Sequence, residues 1–227
     1  MKPNLYEAAS TGKIEPFEET AKDELGSIVT YRKNTVLHLN ITSQAQNGEA
    51  ASVSTEFVKR ILEMCPSLLV QVNAKGDAPL HLAAKYGHAA VVDFLIEFAK
   101  KQPKELESDV ETVRHMLGMT NEDKNTALHE AVQHQHHRTS LDVVRMLMKA
   151  DPDVPYSPNG SGETPLYMAA ARGSRVIVAE ILKSCPSAAH EGPNGRTALH
   201  AAVRSYAATD ISASNLQRTA LKPIKNV

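Results

Sequence analysis

An all-α solenoid of stacked helix–turn–helix units with finger turns is the fold class that this sequence predicts. The first observation is a recurring motif, seen best as Ala-Pro-Leu-His at 78–81 and in variant form at 35–38, 126–129, 164–167 and 197–200. The second is a pair of apolar doublets that follows the motif in the best copies. The third is the scarcity of aromatic residues, 4% with no Trp, which suits thin helical layers better than a large globular core.

The leucine of each motif marks one copy, and a degenerate first copy is marked by Leu5. Successive markers lie 32 to 48 residues apart, so the longer copies carry insertions. We predict copies near 1–32, 33–72, 73–120, 121–158, 159–191 and, incomplete, 192–204. The repeat domain therefore spans 1–204, and residues 205–227 are predicted to form a loosely ordered tail because no glycine and no apolar doublets follow Arg204.

The first helix of each copy is predicted from its end signals. Gly76 permits the positive φ that a tight finger turn needs. Thr164 is a good N-cap and Pro165 suits the first helical position, whereas Ala78 cannot cap with its side chain. Gly87 is expected to end the helix of copy three.

The second helix is predicted from doublets such as Val91-Val92 and Leu95-Ile96, which lie on one helical face. Three insertions are also predicted. Residues 44–54 should form a polar loop, residues 103–119 should include a short extra helix, and residues 135–139 should form a His-rich bulge.

Bulk composition excludes several function classes. The net charge of -1 gives no general attraction to nucleic acid or anionic lipid. No run of about 18 apolar residues is present, so no membrane span is predicted in this chain. Cys65 and Cys185 fall in separate copies beyond disulfide reach, which indicates reduced thiols and a cytoplasmic location.

These motifs resemble ankyrin repeats over about residues 1–204. Three stretches, 61–68, 119–132 and 164–170, look like the ankyrin region of plant transmembrane proteins of the accelerated-cell-death and salt-tolerance kind. The resemblance implies a non-enzymatic protein-interaction scaffold in plant stress or defence signalling, here without the membrane domain. It also implies an alternative, a cytosolic regulatory part at the cytosolic face of the plasma membrane.

The histidines are the candidates for metal chemistry. His38, His81, His129 and His200 occupy the same motif position, so they are spread along the stack, and in ankyrin repeats that histidine ties helix starts together by hydrogen bonds. His134, His136 and His137 lie together, and a metal-dependent enzyme using this segment is the remote alternative. His129 and His134 are five residues apart, which puts their rings on different faces of a helix. We expect no enzyme activity, no cofactor and no metal.

A protein partner is expected instead, on the concave face formed by the finger turns and the exposed ends of the first helices. Nucleic acid is not expected, because basic and aromatic residues are not interleaved. The candidate binding residues are Tyr31, Arg32, Lys75, Asp77, Lys85, Tyr86, Glu122, Asp123, Asn125, His134, Glu163, Arg172, Asn194 and Arg196. Tyr86 and the arginines are the residue types most often found as anchors in protein interfaces.

Overall fold

The computed structural model describes residues 1–20, 24–46, 55–101, 109–134, 140–151, 156–185 and 188–207. Within these ranges the chain is helical and contains no β-strand, only one isolated antiparallel bridge between Glu191 and Thr197. The α-helices are α1 Pro3–Thr11, α2 Glu15–Glu18, α3 Val36–Gln46, α4 Glu56–Met64, α5 Pro79–Lys85, α6 Ala89–Lys100, α7 Asp109–Gly118, α8 Ala127–Gln133, α9 Ser140–Ala150, α10 Pro165–Ala171, α11 Arg175–Ser184 and α12 Ala198–Ala207. The predicted all-α class is confirmed.

The helices form two rows. In the first row α1 contacts α3, and the chain of contacts continues through α5, α8, α10 and α12. In the second row α6 contacts α9, and α9 contacts α11. In copies one to five the first helix also packs on the second helix of its own copy, as α5 does on α6. Units that contact mainly their neighbours define a solenoid.

The apolar core runs along the stack as the motif predicts. The marker leucines Leu37, Leu80, Leu128 and Leu166 are at most 4% exposed. The doublets of α6 and α9 are fully buried between the rows. Both observations support the prediction that each helix pair buries its apolar stripe against the next layer.

The motif histidines connect successive copies. The His81 Nδ1 atom accepts the N–H of Ala78 at 3.2 Å, the same bond that His38 and His129 form with the residue three positions earlier. Because Nδ1 accepts, Nε2 carries the proton and donates to a backbone carbonyl of the next copy. These bonds reach Asp77 from His38 at 2.7 Å, and Glu163 from His129 at 3.2 Å.

The finger turn of copy three shows why glycine is required there. Gly76 has a φ of 74°, and a Cβ at this position would approach the backbone of Asn121 and Glu122 to 3.0 Å. Both the positive φ and the close approach exclude larger residues. Gly87, with a φ of 67°, follows the end of α5 as predicted.

The described residues include part of the insertions and of the tail. The extra helix is α7, while residues 103–108 and the bulge at 135–139 lie outside the described residues. Helix α3 extends to Gln46, so the predicted start of the loop at Gln44 is wrong; the Gln44 side chain donates to Asn40 Oδ1 at 2.6 Å across the last turn. Helix α12 extends to Ala207, three residues into the predicted tail, because neither glycine nor proline interrupts it. Residues 208–227 lie outside the described part.

Both cysteines are free, as the spacing of their copies predicts. Cys65 is buried and Cys185 is half-buried. Among the described helices, none combines the length and the hydropathy that crossing a bilayer requires.

Candidate partner-binding face

The fourteen candidate residues fall into three exposure groups. Exposed side chains belong to Tyr31, Arg32, Lys75, Glu122, Asp123, Arg172, Asn194 and Arg196. Half-buried side chains belong to Lys85, Tyr86, His134 and Glu163. Asp77 and Asn125 are buried, with 6% and 4% exposure. We call the surface formed by the finger turns and the C-terminal ends of the first helices the finger face.

Asp77 and Asn125 differ from the expectation of an exposed contact residue. The Asp77 carboxylate accepts a hydrogen bond from the Asn121 amide at 2.9 Å. The Asn125 side chain donates to Glu130 at 2.9 Å and accepts from Asn159 at 2.8 Å. Their polar atoms are used inside the stack, so they shape the finger face without projecting from it.

An asparagine at the start of the fingers of copies three, four and five explains that burial. The Oδ1 atoms of Asn73, Asn121 and Asn159 each accept two backbone N–H groups of their own finger at 2.8–3.1 Å. The Nδ2 atom of each then donates to a side chain of the preceding copy. One asparagine therefore fixes the shape of its finger and links it to its neighbour.

Backbone hydrogen bonds join the fingers directly. Ala74 donates to the Arg32 carbonyl at 2.9 Å, and Glu122 donates to the Lys75 carbonyl at the same distance. Gly160 donates to the Asp123 carbonyl at 2.7 Å. The side chains of neighbouring fingers are therefore presented from a backbone whose relative position is fixed.

A groove of about 420 Å³ lies on the finger face between copies four and five. It is lined by Glu122, Asp123, Asn125, Gln133, Asn159, Gly160, Ser161, Glu163, Met168 and Arg172. Five of the candidate residues share this groove, and the other nine do not line it. Its lining includes three carboxylates and one guanidinium, so the groove carries both signs with acid in excess.

Sequence reasoning missed Gln133 and Met168 as groove residues. Gln133 is the last residue of α8, and its side-chain oxygen accepts from Asn125 at 3.3 Å. Met168 lies on α10, where its sulfur is 3.8 Å from the Asn159 amide. Their position on the first helix of their copies could have indicated this role, because the end of α8, where Gln133 lies, is next to the finger asparagines.

Glu130 is a buried acid beneath the finger face that the sequence analysis did not single out. Its Oε1 atom accepts from Asn121 at 3.1 Å and from Asn125 at 2.9 Å. Its Oε2 atom lies 3.8 Å from Lys85 Nζ and 3.5 Å from His134 Nδ1. A buried carboxylate needs such partners, so Lys85 and His134 also serve the fold.

The histidine environments are consistent with structural roles. Burial lowers the pKa of His38 and His81, and it lowers the pKa of His129 to about 4. Burial is also the largest cause of the lowered pKa of His134, and the nearby Lys85 and Arg172 charges act in the same direction. His136 and His137 lie outside the described residues. Within the described ranges, no three His, Cys, Asp or Glu side chains are grouped to hold a metal ion.

Comparison with known proteins gives curated relatives and solved structures. The chain is 28% identical over 188 residues to Protein ACCELERATED CELL DEATH 6 of Arabidopsis thaliana, covering 81% of this chain and 26% of that protein. It is 29% identical over 147 residues to the ANK repeat-containing protein nipk-1 of Caenorhabditis elegans, covering 63% and 22%. The chain therefore spans about a quarter of the length of these relatives.

The solved structures show the same fold. The ankyrin repeat protein EF0377 aligns with a TM-score of 0.68 at 20% identity over 94% of this chain and 96% of that one. The ankyrin repeat domain of Bcl-3 aligns with a TM-score of 0.65 at 20% identity over 94% and 88%. The family described as ankyrin repeats (3 copies) matches residues 49–156 and 138–212. With the paired helices, the finger turns and the histidine links, this match shows that the chain belongs to the ankyrin-repeat family, whose fold is a scaffold for protein interaction.

Proposed function

We propose that this chain is a non-enzymatic module that binds a protein partner on its concave finger face, with the groove between copies four and five as the centre of contact. The observation that carries the proposal is the groove itself, about 420 Å³ in volume and walled by two fingers already joined through backbone and asparagine hydrogen bonds. Because these walls are ordered before a partner arrives, little conformational entropy is lost on docking.

The charges of the groove define the partner segment that it fits. Glu122 and Asp123 are exposed on one finger, and Glu163 is half-buried on the next. Arg172 is exposed at the end of α10, on the helix side of the groove. A segment that places a basic side chain toward the fingers and an acidic or carbonyl group toward Arg172 matches both walls.

The test is a double charge reversal on the acidic finger, Glu122→Lys with Asp123→Lys. Glu122 and Asp123 join this finger to its neighbours through backbone hydrogen bonds, so the substitutions leave those bonds in place. We expect specific partners to be lost from the proximity-labelling profile in the native cell, with helical circular dichroism unchanged. The matched control is Asp93→Lys, an exposed acid on the second helix α6. A double variant that labels the same proteins as the wild type contradicts the proposal.

Lys85 and Tyr86 are less suitable as test positions. Reversal of the Lys85 charge would place a second acid beside buried Glu130, so a loss of binding could arise from a damaged fold. Tyr86 is half-buried, and its ring lies 6.0 Å from the His88 ring. The exposed groove residues separate binding from stability more cleanly.

Similarity to the Arabidopsis relative supports a proposal about the process and the location in which this module acts. The match extends over 81% of the chain. We propose a role in plant stress or defence signalling in the cytoplasm, with the cytosolic face of the plasma membrane as the alternative location. Fractionation of the tagged native product tests the two locations, since recovery with membranes supports the alternative and recovery in the supernatant contradicts it.

A further inference from the structure

Two of the described finger turns contain the dipeptide Asn-Gly, at 159–160 in copy five and at 194–195 in copy six. A third Asn-Gly, at 47–48, lies outside the described residues. An asparagine followed by glycine loses its side-chain amide more readily than other asparagines, because a residue without a Cβ lets its backbone nitrogen approach the asparagine side chain. The structure surrounds the two described dipeptides very differently.

The Asn159 dipeptide is held by hydrogen bonds at both reacting groups. Its Oδ1 atom accepts two backbone N–H groups of its own finger at 3.0 Å, and its Nδ2 atom donates to Asn125 Oδ1 at 2.8 Å. The Gly160 nitrogen, which would attack the side chain, donates its proton to the Asp123 carbonyl at 2.7 Å. Reaction at Asn159 would therefore break links that join two copies.

The Asn194 dipeptide is open to solvent. The Asn194 side chain is exposed, and within the described part of the chain it makes no hydrogen bond. A Cβ built on Gly195 would meet no atom within 4 Å. Asn194 has a φ of 59° and a ψ of 37°, so the peptide bond that follows it must turn before its nitrogen reaches the side chain. The reaction thus depends on how freely this finger can rearrange.

The finger of copy six lacks both links that fix the earlier fingers. In copies three to five the second residue of each finger donates its N–H to the preceding finger. Pro193 stands at that position in copy six and has no N–H to donate. Gly192 stands at the position of the finger asparagine and has no side chain. Bonds within the finger remain, such as Gly192 to the Arg196 carbonyl at 2.8 Å, but neither finger link to copy five can form.

We propose that Asn194 is a site of spontaneous deamidation and that the fold protects Asn159 from the same reaction. The Gly195 nitrogen bonds to Cγ of Asn194, the bond from Cγ to Nδ2 breaks, and ammonia leaves with the proton of the Gly195 nitrogen. Water then opens the cyclic imide at either carbonyl, which gives aspartate or isoaspartate. Water is the only co-reactant, and nothing is oxidised or reduced.

The modification changes the candidate binding face. Either product places a carboxylate two residues before the exposed Arg196, where the unmodified chain has a neutral amide. The isoaspartate product also lengthens the backbone of the finger by one carbon. Finger six would therefore carry a negative charge that its encoded residues do not supply, while the finger of copy five keeps its neutral asparagine.

Incubation of the full 227-residue chain in mildly alkaline buffer, followed by tryptic digestion and mass spectrometry, tests the site. Trypsin cleaves after lysine and arginine, so Asn194 falls in peptide 184–196 and Asn159 in peptide 150–172. We expect peptide 184–196 to gain, with time, the mass by which water exceeds ammonia, while peptide 150–172 keeps its mass. After incubation in urea, where the finger bonds are lost, both peptides should gain it.

Two variants separate the reaction from its structural cause, and helical circular dichroism checks that each is folded. Asn194→Gln has a longer side chain that cyclises far less readily, so its peptide should keep its mass. Pro193→Ala restores an N–H where copy three has Ala74, and it should slow the mass gain at Asn194. A folded wild type in which peptide 184–196 keeps its mass, or in which both peptides change at the same rate, overturns the proposal. A Pro193→Ala protein that reacts as fast as the wild type overturns the role of the missing finger link.

Discussion

Tyr167 stands at the motif-histidine position in copy five, and Gly192 of copy six lies directly against it. The ring is 2% exposed and fills the space next to Gly192, where a Cβ atom would overlap it. With no imidazole to reach the next copy, Thr164 takes over the link, and its hydroxyl donates to the Glu191 carbonyl at 2.9 Å. In copy five the histidine bond is thus replaced by packing of Tyr167 against Gly192 together with the Thr164 hydrogen bond.

Gly192→Ala is expected to lower the free energy of unfolding by about 1–3 kcal/mol, because the added methyl group must displace a buried ring or the backbone beside it. Urea unfolding followed by circular dichroism measures the change. Gly118→Ala is the matched control: a Cβ there meets no atom within 4 Å, and its φ is not positive, so its stability should stay within about 1 kcal/mol of wild type. Equal stability of the two variants would contradict the packing role of Gly192.

The lowered pKa of His129 predicts that the free energy of unfolding depends on pH. Its pKa in the folded chain is about 4, below the ordinary value of 6.5, so the unfolded chain takes up the proton first as pH falls. The stability from this group is complete above about pH 7 and is lost between about 6.5 and 4, by up to about 3 kcal/mol. His129→Gln, which cannot take up the proton, should flatten the dependence of the urea midpoint on pH. An unchanged slope in that variant would refute the assignment.

At the scale of elements, α7 shows how an insertion is accommodated. It packs against α6, and its own residues Val113, Met116 and Leu117 are buried. Arg114 on the same helix bonds the buried Asp151 carboxylate at 2.7 Å, just beyond the end of α9. The insertion is therefore part of the folded stack, tied to the second helices of copies three and four.

Met116→Ala should lower the free energy of unfolding by about 2–5 kcal/mol, because a buried side chain is replaced by a cavity. The exposed His115 on the same helix supplies the control, since His115→Ala removes no buried contact. Thermal unfolding of both variants compares the two effects. A Met116→Ala protein as stable as the His115→Ala protein would show that α7 contributes nothing to the stack.

The helices were predictable because their signals are local. Apolar doublets, helix-ending glycines and Thr-Pro starts each act within one turn of helix, so the sequence alone predicts the two rows. The helix ends were less predictable. Helix α12 continues through residues 205–207 because an Ala-containing segment remains helical without a glycine to end it.

Exposure on the finger face depends on more than one copy, which limited the site prediction. Asp77 is polar and sits in a turn, which predicts exposure, yet it is buried because Asn121 of the next copy bonds it. Glu130 was missed for a related reason: two of its partners, Asn121 and Asn125, lie in the finger of its own copy, but the third, Lys85, comes from the preceding copy. Such pairings are decided by the stacking distance between copies, and no single copy contains that information.

At the scale of the whole molecule, the stack has no closure that joins its two ends within the described residues. Copies two to five are joined in sequence through a shared apolar layer, histidine bonds and finger bonds. Tension on the two termini is therefore carried in series, through every junction in turn. Because stability is a sum of contributions from neighbouring copies, we expect the stack to open copy by copy under load rather than all at once.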